Sequence, residues 1–154
     1  MEDIERGAPQ HSFGNTSFHL DVAHTPLFPF GYGLSYTDLT YANIAISSEK
    51  IELGQSFTVS AELTNSGDIE ATEVVQLYIR DLVGSVTRPV KELKGFRRCR
   101  VKPGETITVT FDLTTDDLAF YSREQKLVTE PGKFHAWIGG SSDTDLKVGF
   151  EVIE

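Results

Sequence analysis

The sequence predicts an all-β fold in which two sheets pack face to face as a sandwich. From residue 38 onward, short segments alternate apolar and polar side chains with the period of two that is typical of strands covered on one face. Turn signals rich in Gly, Pro, Asn and Asp separate these segments. Ten Phe, five Tyr and one Trp supply large apolar side chains for a core. The length of 154 residues fits one domain.

The first three predicted strands cover 41–47, 56–64 and 73–81. In the second and third, most odd-numbered residues are apolar, and they are expected to face the core. In the third, the opposite face carries Gln76, Tyr78 and Arg80. Residues 65–68 form a turn signal between the second and third strands, in which Gly67 is free to take positive φ.

A fourth strand is predicted over 92–100, followed by a Pro-Gly turn of type II at 102–105. A fifth covers 106–113 with its odd-numbered residues inward, and residues 114–118 resemble one capped helical turn. The remaining extended segments are 118–121, 125–129, 134–138 and 146–153. Seven or eight strands without a convincing helix favour a sandwich of the immunoglobulin or fibronectin type III kind, although the Cys…Trp…Cys signature of immunoglobulin domains is absent.

Residues 1–37 differ from this pattern, because they are rich in His, Pro, Gly and aromatic residues and follow no period. We therefore predict an irregular N-terminal extension over 1–37 and a sandwich domain over 38–154. The N-terminus lacks an apolar core like that of a signal peptide, but it predicts no compartment if the chain is a fragment. The chain contains no apolar run of about 18 residues, so no membrane span is expected.

The net charge of −9 argues against nucleic acid as a partner. Cys99 is the only cysteine, so it cannot form an intramolecular disulfide and is expected to be a small buried apolar residue. Carboxylates such as Glu62, Asp112 and Glu151 alternate with core residues and are expected on solvent faces, so we predict no catalytic residue.

No cofactor and no metal site are predicted either. The spacing of His11, His19 and His24 matches no ligand template. Residues 143–145 begin like a calcium loop but lack its Gly and distal Glu, which favours a polar hairpin loop. Residues 31–33 lack the strand and helix of a phosphate loop, and the sequon at 15–17 is too common a triplet to be informative.

The window from 88 to 102 holds seven of the fourteen basic residues and a single acidic one, Glu92. One interpretation is a solvated strand face whose cations compensate acidic neighbours. The alternatives are a contact with an acidic partner domain and, least favoured, a contact with nucleic acid.

Four segments also carry a family resemblance. They are Pro26–Tyr36 (PLFPFGYGLSY), Val74–Ile79 (VVQLYI), Arg88–Phe96 (RPVKELKGF), and Glu130–Phe134 (EPGKF) with Trp137–Gly139 (WIG). In order and spacing they resemble the C-terminal domain of family 3 glycoside hydrolases, which include β-glucosidases and β-xylosidases. The resemblance covers residues 26–154 and implies a fibronectin type III-like fold.

The resemblance also implies that this chain is a non-catalytic module of a larger retaining glycosidase. In that family the nucleophilic Asp and the acid/base Glu lie in domains that precede this one. No residue of this chain matches either motif. The implied partner is the pair of catalytic domains, which the module would stabilise by docking.

The segment Pro26–Tyr36, here called the tether, has the composition of an interdomain contact, since prolines restrict it, glycines permit close approach and aromatic rings offer area to bury. Residues expected to contact the catalytic domains are Phe28, Phe30, Tyr32, Tyr36, Arg88 and Lys91. One alternative is carbohydrate binding through outward-facing Tyr78 and Trp137. Another is a standalone interaction or dimerisation domain, in which exposed tether aromatics cause self-association.

Overall fold

The computed structural model describes residues 26–154, and these form the predicted all-β fold. The strands are β1 (Leu39–Ile46), β2 (Lys50–Glu52), β3 (Ser56–Asn65), β4 (Ala71–Asp81), β5 (Glu92–Val101), β6 (Thr106–Thr114), β7 (Phe120–Tyr121), β8 (Leu127–Val128), β9 (Gly132–Gly139) and β10 (Lys147–Ile153). Seven of the ten have seven or more residues. The short strands β7 and β8 fall within the predicted extended segments 118–121 and 125–129, whereas β2 was not predicted. No strand occurs between residues 26 and 38.

Two sheets make the sandwich. Strands β1, β3 and β6 form one, in that order, and the second has the order β2–β10–β9–β4–β5. Pairing is antiparallel except between β10 and β2, which are parallel. The hairpin β7–β8 forms a separate two-stranded ribbon. Strand β5 is therefore an edge of the five-stranded sheet, with β4 as its neighbour.

The core lies between the two sheets and uses the predicted inward faces. Val59 and Leu63 of β3 and Val75 and Leu77 of β4 have no exposed surface. Phe150 of β10 joins the sheets, because its ring centroid lies 5.3 Å from those of both Phe57 and Phe134. Close packing of this kind fixes the sheets relative to each other and so provides a rigid base for their outer faces.

Two predicted turns have the expected local structure, and in the third, at 65–68, Gly67 serves close packing. Residues Thr115–Leu118 form a 3₁₀ turn, and the Asp117 carboxylate accepts a hydrogen bond from the Thr114 N–H at 2.7 Å. Gly104 has a φ of 72° in the 102–105 turn, as a type II turn requires. Gly67, however, does not adopt positive φ. It is needed for close approach instead, since a Cβ there would lie 2.2 Å from Thr37 Oγ1.

Asn65 fixes the point where the tether enters the sandwich. Its side chain is fully buried, and its amide donates to the carbonyls of Ile69 and Val101 at 2.8 and 3.0 Å. Its amide oxygen accepts a hydrogen bond from Thr37 Oγ1 at 2.7 Å. The Asn65 amide therefore joins Thr37, which directly follows the tether, to Ile69 before β4 and to Val101 at the end of β5.

Within 26–154, no cluster of three His, Cys, Asp or Glu side chains is arranged to hold a metal ion. The same stretch has no helix with the length and hydropathy needed to cross a membrane. The histidines at 11, 19 and 24 and the sequon at 15–17 lie outside the described residues. Residues 143–145 lie in the loop between β9 and β10, as predicted.

Candidate docking surface

One surface, the face of the five-stranded sheet turned away from the core, brings together parts of the tether, Val74–Ile79, Arg88–Phe96 and Trp137–Gly139, whereas Phe134 of the fourth segment lies in the core. We call this surface the outer face. Odd-numbered residues of β4 point into the core, so Val74, Gln76 and Tyr78 point to the outer face. Register then places Phe96 of β5 and Gly139 of β9 on either side of Gln76. The tether crosses the sheet at this position, with Gly31 directly against Gln76.

The path of the tether is fixed by its backbone. The Ser142 N–H donates to the Phe30 carbonyl at 2.8 Å, which joins the tether to the β9–β10 loop. Gly31 has a φ of 80°, and a Cβ added to it would lie 2.3 Å from Gln76 Nε2. Only glycine accommodates both the left-handed backbone and this contact. The side chains on either side of Gly31 are therefore presented from a defined backbone conformation.

Beneath the tether lies a buried polar network that sequence analysis did not identify. The Tyr78 hydroxyl donates to Gln76 Oε1, and Gln76 Nε2 donates to the Gly140 carbonyl, both at 2.5 Å. Only 4% of Gln76 and 2% of Tyr78 is exposed, although strand alternation alone assigned both to a solvent face. Burial raises the pKa of Tyr78, so its hydroxyl remains a donor at neutral pH.

Lys91 fastens the same region from the other side. Its Nζ donates to the carbonyls of Ser142 and Thr144, both at 2.7 Å, and lies 5.1 Å from the centroid of the Trp137 ring. Burial lowers the pKa of Lys91, while Asp145 and Asp143 oppose that shift. The cation thus joins β9, its following loop and the segment before β5, which also fixes the loop that holds Phe30.

The tether side chains themselves are exposed. Phe28, Phe30 and Tyr32 have 62%, 66% and 50% of their surface accessible, and for Tyr36 the value is 97%. The rings of Phe28 and Tyr32 pack against each other with centroids 5.1 Å apart. Leu34, also on the tether, is 91% exposed. An exposed cluster of apolar side chains of this kind is typical of an interaction surface rather than of a solvated loop.

Space remains under the tether as well. A groove of about 420 Å³ lies between residues 31–35 and the ends of β4 and β9. Tyr41 closes one side of it, where its hydroxyl donates to Glu73 Oε1 at 2.9 Å. The groove is large enough to accept side chains from another surface.

Two of the predicted contact residues have internal roles. The Arg88 guanidinium lies 2.6 Å from Glu92 Oε2 and 4.5 Å from the Phe120 ring centroid, and 16% of its side chain is exposed. Lys91 Nζ, as described above, donates to two loop carbonyls and lies over the Trp137 ring. Both cations are therefore held within the module, because carboxylate, carbonyl and aromatic partners surround them. The exposed basic positions lie further along β5.

The exposure expected of Tyr78 and Trp137 is contradicted by the structure. Both lie on the outer face, as strand alternation predicted, but Trp137 is only 7% exposed. Lys91 covers one face of its indole, and the His135 ring packs against it edge-on at 5.4 Å. Neither ring presents an open face on which a sugar could stack.

The comparisons with known proteins agree with this architecture. A family model described as a fibronectin type III-like domain matches residues 73–142. The periplasmic β-glucosidase of Salmonella typhimurium is 42% identical over 138 residues, which cover 90% of this chain and 18% of that protein. A β-xylosidase of Formosa agariphila is 48% identical over 121 residues, covering 79% of this chain and 17% of that protein.

Solved structures give the same result. A β-glucosidase from Erythrobacter marinus superposes with a TM-score of 0.84 at 35% identity, over 91% of this chain and 18% of that one. The Listeria innocua β-glucosidase in complex with glucose gives a TM-score of 0.81 at 36% identity, over 94% of this chain and 20% of that one. This chain thus spans no more than a fifth of the length of these relatives. It belongs to the fibronectin type III-like domains of family 3 glycoside hydrolases of the β-glucosidase and β-xylosidase type.

Proposed function

We propose that this chain is a non-catalytic module of a retaining β-glucosidase and that it stabilises the catalytic domains by docking on them through the tether. The module contributes a rigid outer face and an aromatic segment held in one conformation. The catalytic domains contribute the surface that covers those aromatic rings.

The observation that carries this proposal is the contrast between a fixed backbone and exposed side chains. Gly31 packs against Gln76 of the sheet and the Phe30 carbonyl is bonded to the β9–β10 loop, whereas the Phe28, Phe30 and Tyr32 side chains are half exposed or more. A binding segment that is ordered before association loses little conformational entropy when it binds. A segment with no partner would gain nothing from presenting these rings to water.

The partner is inferred from the relatives. They are named β-glucosidases and β-xylosidases, and this chain covers 17% or 18% of the curated ones, so most of each relative lies outside the matched region. On this proposal the two catalytic carboxylates belong to the domains before the module. The preference for a glucoside over a xyloside is then set in those domains.

The test compares the isolated chain with the longer polypeptide that contains it. We would replace Phe28 and Tyr32 together by serine and measure, by pulse proteolysis, the temperature at which the module becomes cleavable. The matched control replaces Tyr121 and Leu127 by serine, since these are 70% and 61% exposed on the hairpin β7–β8.

In the isolated chain, both double variants are expected to change the midpoint by no more than about 2 °C, because the replaced side chains are exposed. In the longer polypeptide, the wild-type midpoint is expected to exceed that of the isolated chain. The Phe28/Tyr32 variant should remove most of that excess, and the hairpin variant should keep it. Equal midpoints for the wild-type module alone and in the longer polypeptide would disprove docking.

A further inference from the structure

The outer face of the edge strand β5 carries a second exposed surface that the tether does not account for. Phe96 is 68% exposed and lies opposite Gln76. Further along the same face, Arg98 lies opposite Val74 and Arg100 lies opposite Thr72. We call Phe96, Arg98 and Arg100 the β5 strip, in which an aromatic ring is followed by two guanidinium groups.

These two cations differ from the four basic residues that precede Arg98 in the window, which all have partners within the module. Arg88 and Lys94 both contact Glu92, and the Arg97 guanidinium lies 3.4 Å from Asp112. Arg98 has no ion pair or side-chain hydrogen bond with any residue between 26 and 154. Arg100 lies 2.8 Å from Glu70, but its side chain is 76% exposed, so this pair is weak and can be exchanged for another carboxylate.

The strip is continuous with the tether. Phe30 of the tether and Leu93 of β5 line the same depression of about 590 Å³, with Tyr78 at its base. Val90 at its rim is 68% exposed, and Val74, which lies beside Arg98, is 44% exposed. An apolar area therefore runs from the tether to Phe96 and ends at the two arginines.

We propose that the β5 strip is a second docking contact, which fits a surface of the preceding domains that is apolar at its centre and flanked by carboxylates. This inference rests on the proposed function and specifies the orientation in which the module docks. Phenylalanine and arginine are both enriched at the centres of protein interfaces. The chain has a net charge of −9, so an acidic partner surface is repelled by most of the module and attracted by this strip.

The experiment reverses the charge of the strip. In the longer polypeptide, Arg98→Glu with Arg100→Glu is compared with Arg123→Glu plus Lys126→Glu, two exposed cations of the hairpin β7–β8 region. The net charge changes equally in the two double variants. A third variant, Phe96→Ser, tests the apolar part. The midpoint temperature of the module is measured at low and high salt, and each variant is also made in the isolated chain as a baseline.

Relative to its baseline, the strip variant is expected to lower the midpoint in the longer polypeptide by about 4 °C or more, and by less at high salt. Phe96→Ser should lower the midpoint in the longer polypeptide at both salt concentrations. The hairpin variant should change the midpoint in the longer polypeptide by the same amount as in the isolated chain. Equal effects of the strip and hairpin variants would overturn the inference. If the Phe28/Tyr32 variant still lowers the midpoint in that case, docking through the tether survives and only the second contact is lost.

Discussion

Replacing Gly31 by alanine is the sharpest test of how the tether is held. The substitution adds one Cβ, which would lie 2.3 Å from Gln76 Nε2 on a backbone with a φ of 80°. A non-glycine residue in the left-handed region costs about 1–2 kcal/mol. The smaller conformational entropy of alanine in the unfolded chain returns about 0.4–1 kcal/mol.

The contact with Gln76 adds the larger cost. Gln76 must move away from Tyr78 and Gly140, which weakens two buried hydrogen bonds worth about 1 kcal/mol each. Alternatively, the tether leaves the sheet and the Ser142 N–H loses the Phe30 carbonyl. The first response gives a net loss of about 2–3 kcal/mol, or about 5–10 °C in midpoint temperature for a domain of this size. The second relieves the backbone strain but loses one hydrogen bond worth about 1 kcal/mol together with the packing of the tether on the sheet.

The assay is thermal unfolding of the isolated chain together with amide hydrogen exchange at Ser142. Gly31→Ala should lower the midpoint and speed exchange of the Ser142 amide. Gly33→Ala is the control, because its Cβ would meet no atom within 4 Å and its φ is not positive. If the two variants unfold at the same temperature and exchange Ser142 at the same rate, the contact between Gly31 and Gln76 does not hold the tether.

Three further predictions concern side chains near this surface and at its base. Lys91→Met removes two hydrogen bonds to carbonyls, so it should lower the free energy of unfolding in urea by about 1–3 kcal/mol and shift Trp137 fluorescence to the red. The control Lys126→Met should change the free energy of unfolding by no more than about 0.5 kcal/mol, and equal losses in the two variants would contradict the role given to Lys91. Asn65→Asp places a carboxylate oxygen against two carbonyl oxygens 2.8 and 3.0 Å away, so it should lower the free energy of unfolding by about 3 kcal/mol at pH 7. The loss should be smaller at pH 4, where the carboxyl can be protonated, and a variant as stable as the wild type at pH 7 would refute this prediction. Burial, together with the charges of Lys147 and Arg80, lowers the pKa of His135 below its usual value of 6.5. The unfolded chain therefore binds this proton more tightly, and the free energy of unfolding should fall as the pH drops below 6.5. His135→Gln should flatten this dependence of stability on pH, and an unchanged slope would show that His135 does not cause it.

Much of the sandwich follows from local sequence. Alternation identified the core faces of β3, β4 and β6, because a strand covered on one face needs apolar residues at every second position. The turn at 102–105 and the capped turn after β6 were also predictable, since proline, glycine and a capping acid act within a few residues. Strand β2 was missed. It has three residues and exists through parallel pairing with β10, about a hundred residues later in the chain, which no local pattern reports.

The candidate site was predictable only in part, and the reason is the same. The sequence predicted the tether and placed Tyr78 and Trp137 on the correct face of the sheet. It gave both an exposed position because period-two alternation does not report that a distant segment crosses that face. The internal partners of Arg88 and Lys91 were missed for a related reason, since a cluster of basic residues in sequence does not reveal which carboxylates and carbonyls the fold brings to it.

The central claim, that the tether aromatics are covered by preceding domains, is tested most directly by hydroxyl-radical footprinting. The oxidation rates of Phe28, Phe30, Tyr32 and Tyr36 would be measured in the isolated chain and in the longer polypeptide, with Tyr121 as an internal reference on the hairpin β7–β8. We expect oxidation of Phe28, Phe30 and Tyr32 to be several-fold slower in the longer polypeptide while Tyr121 is unchanged. Equal oxidation of the tether residues in both forms would show that no domain covers them and would contradict the docking account.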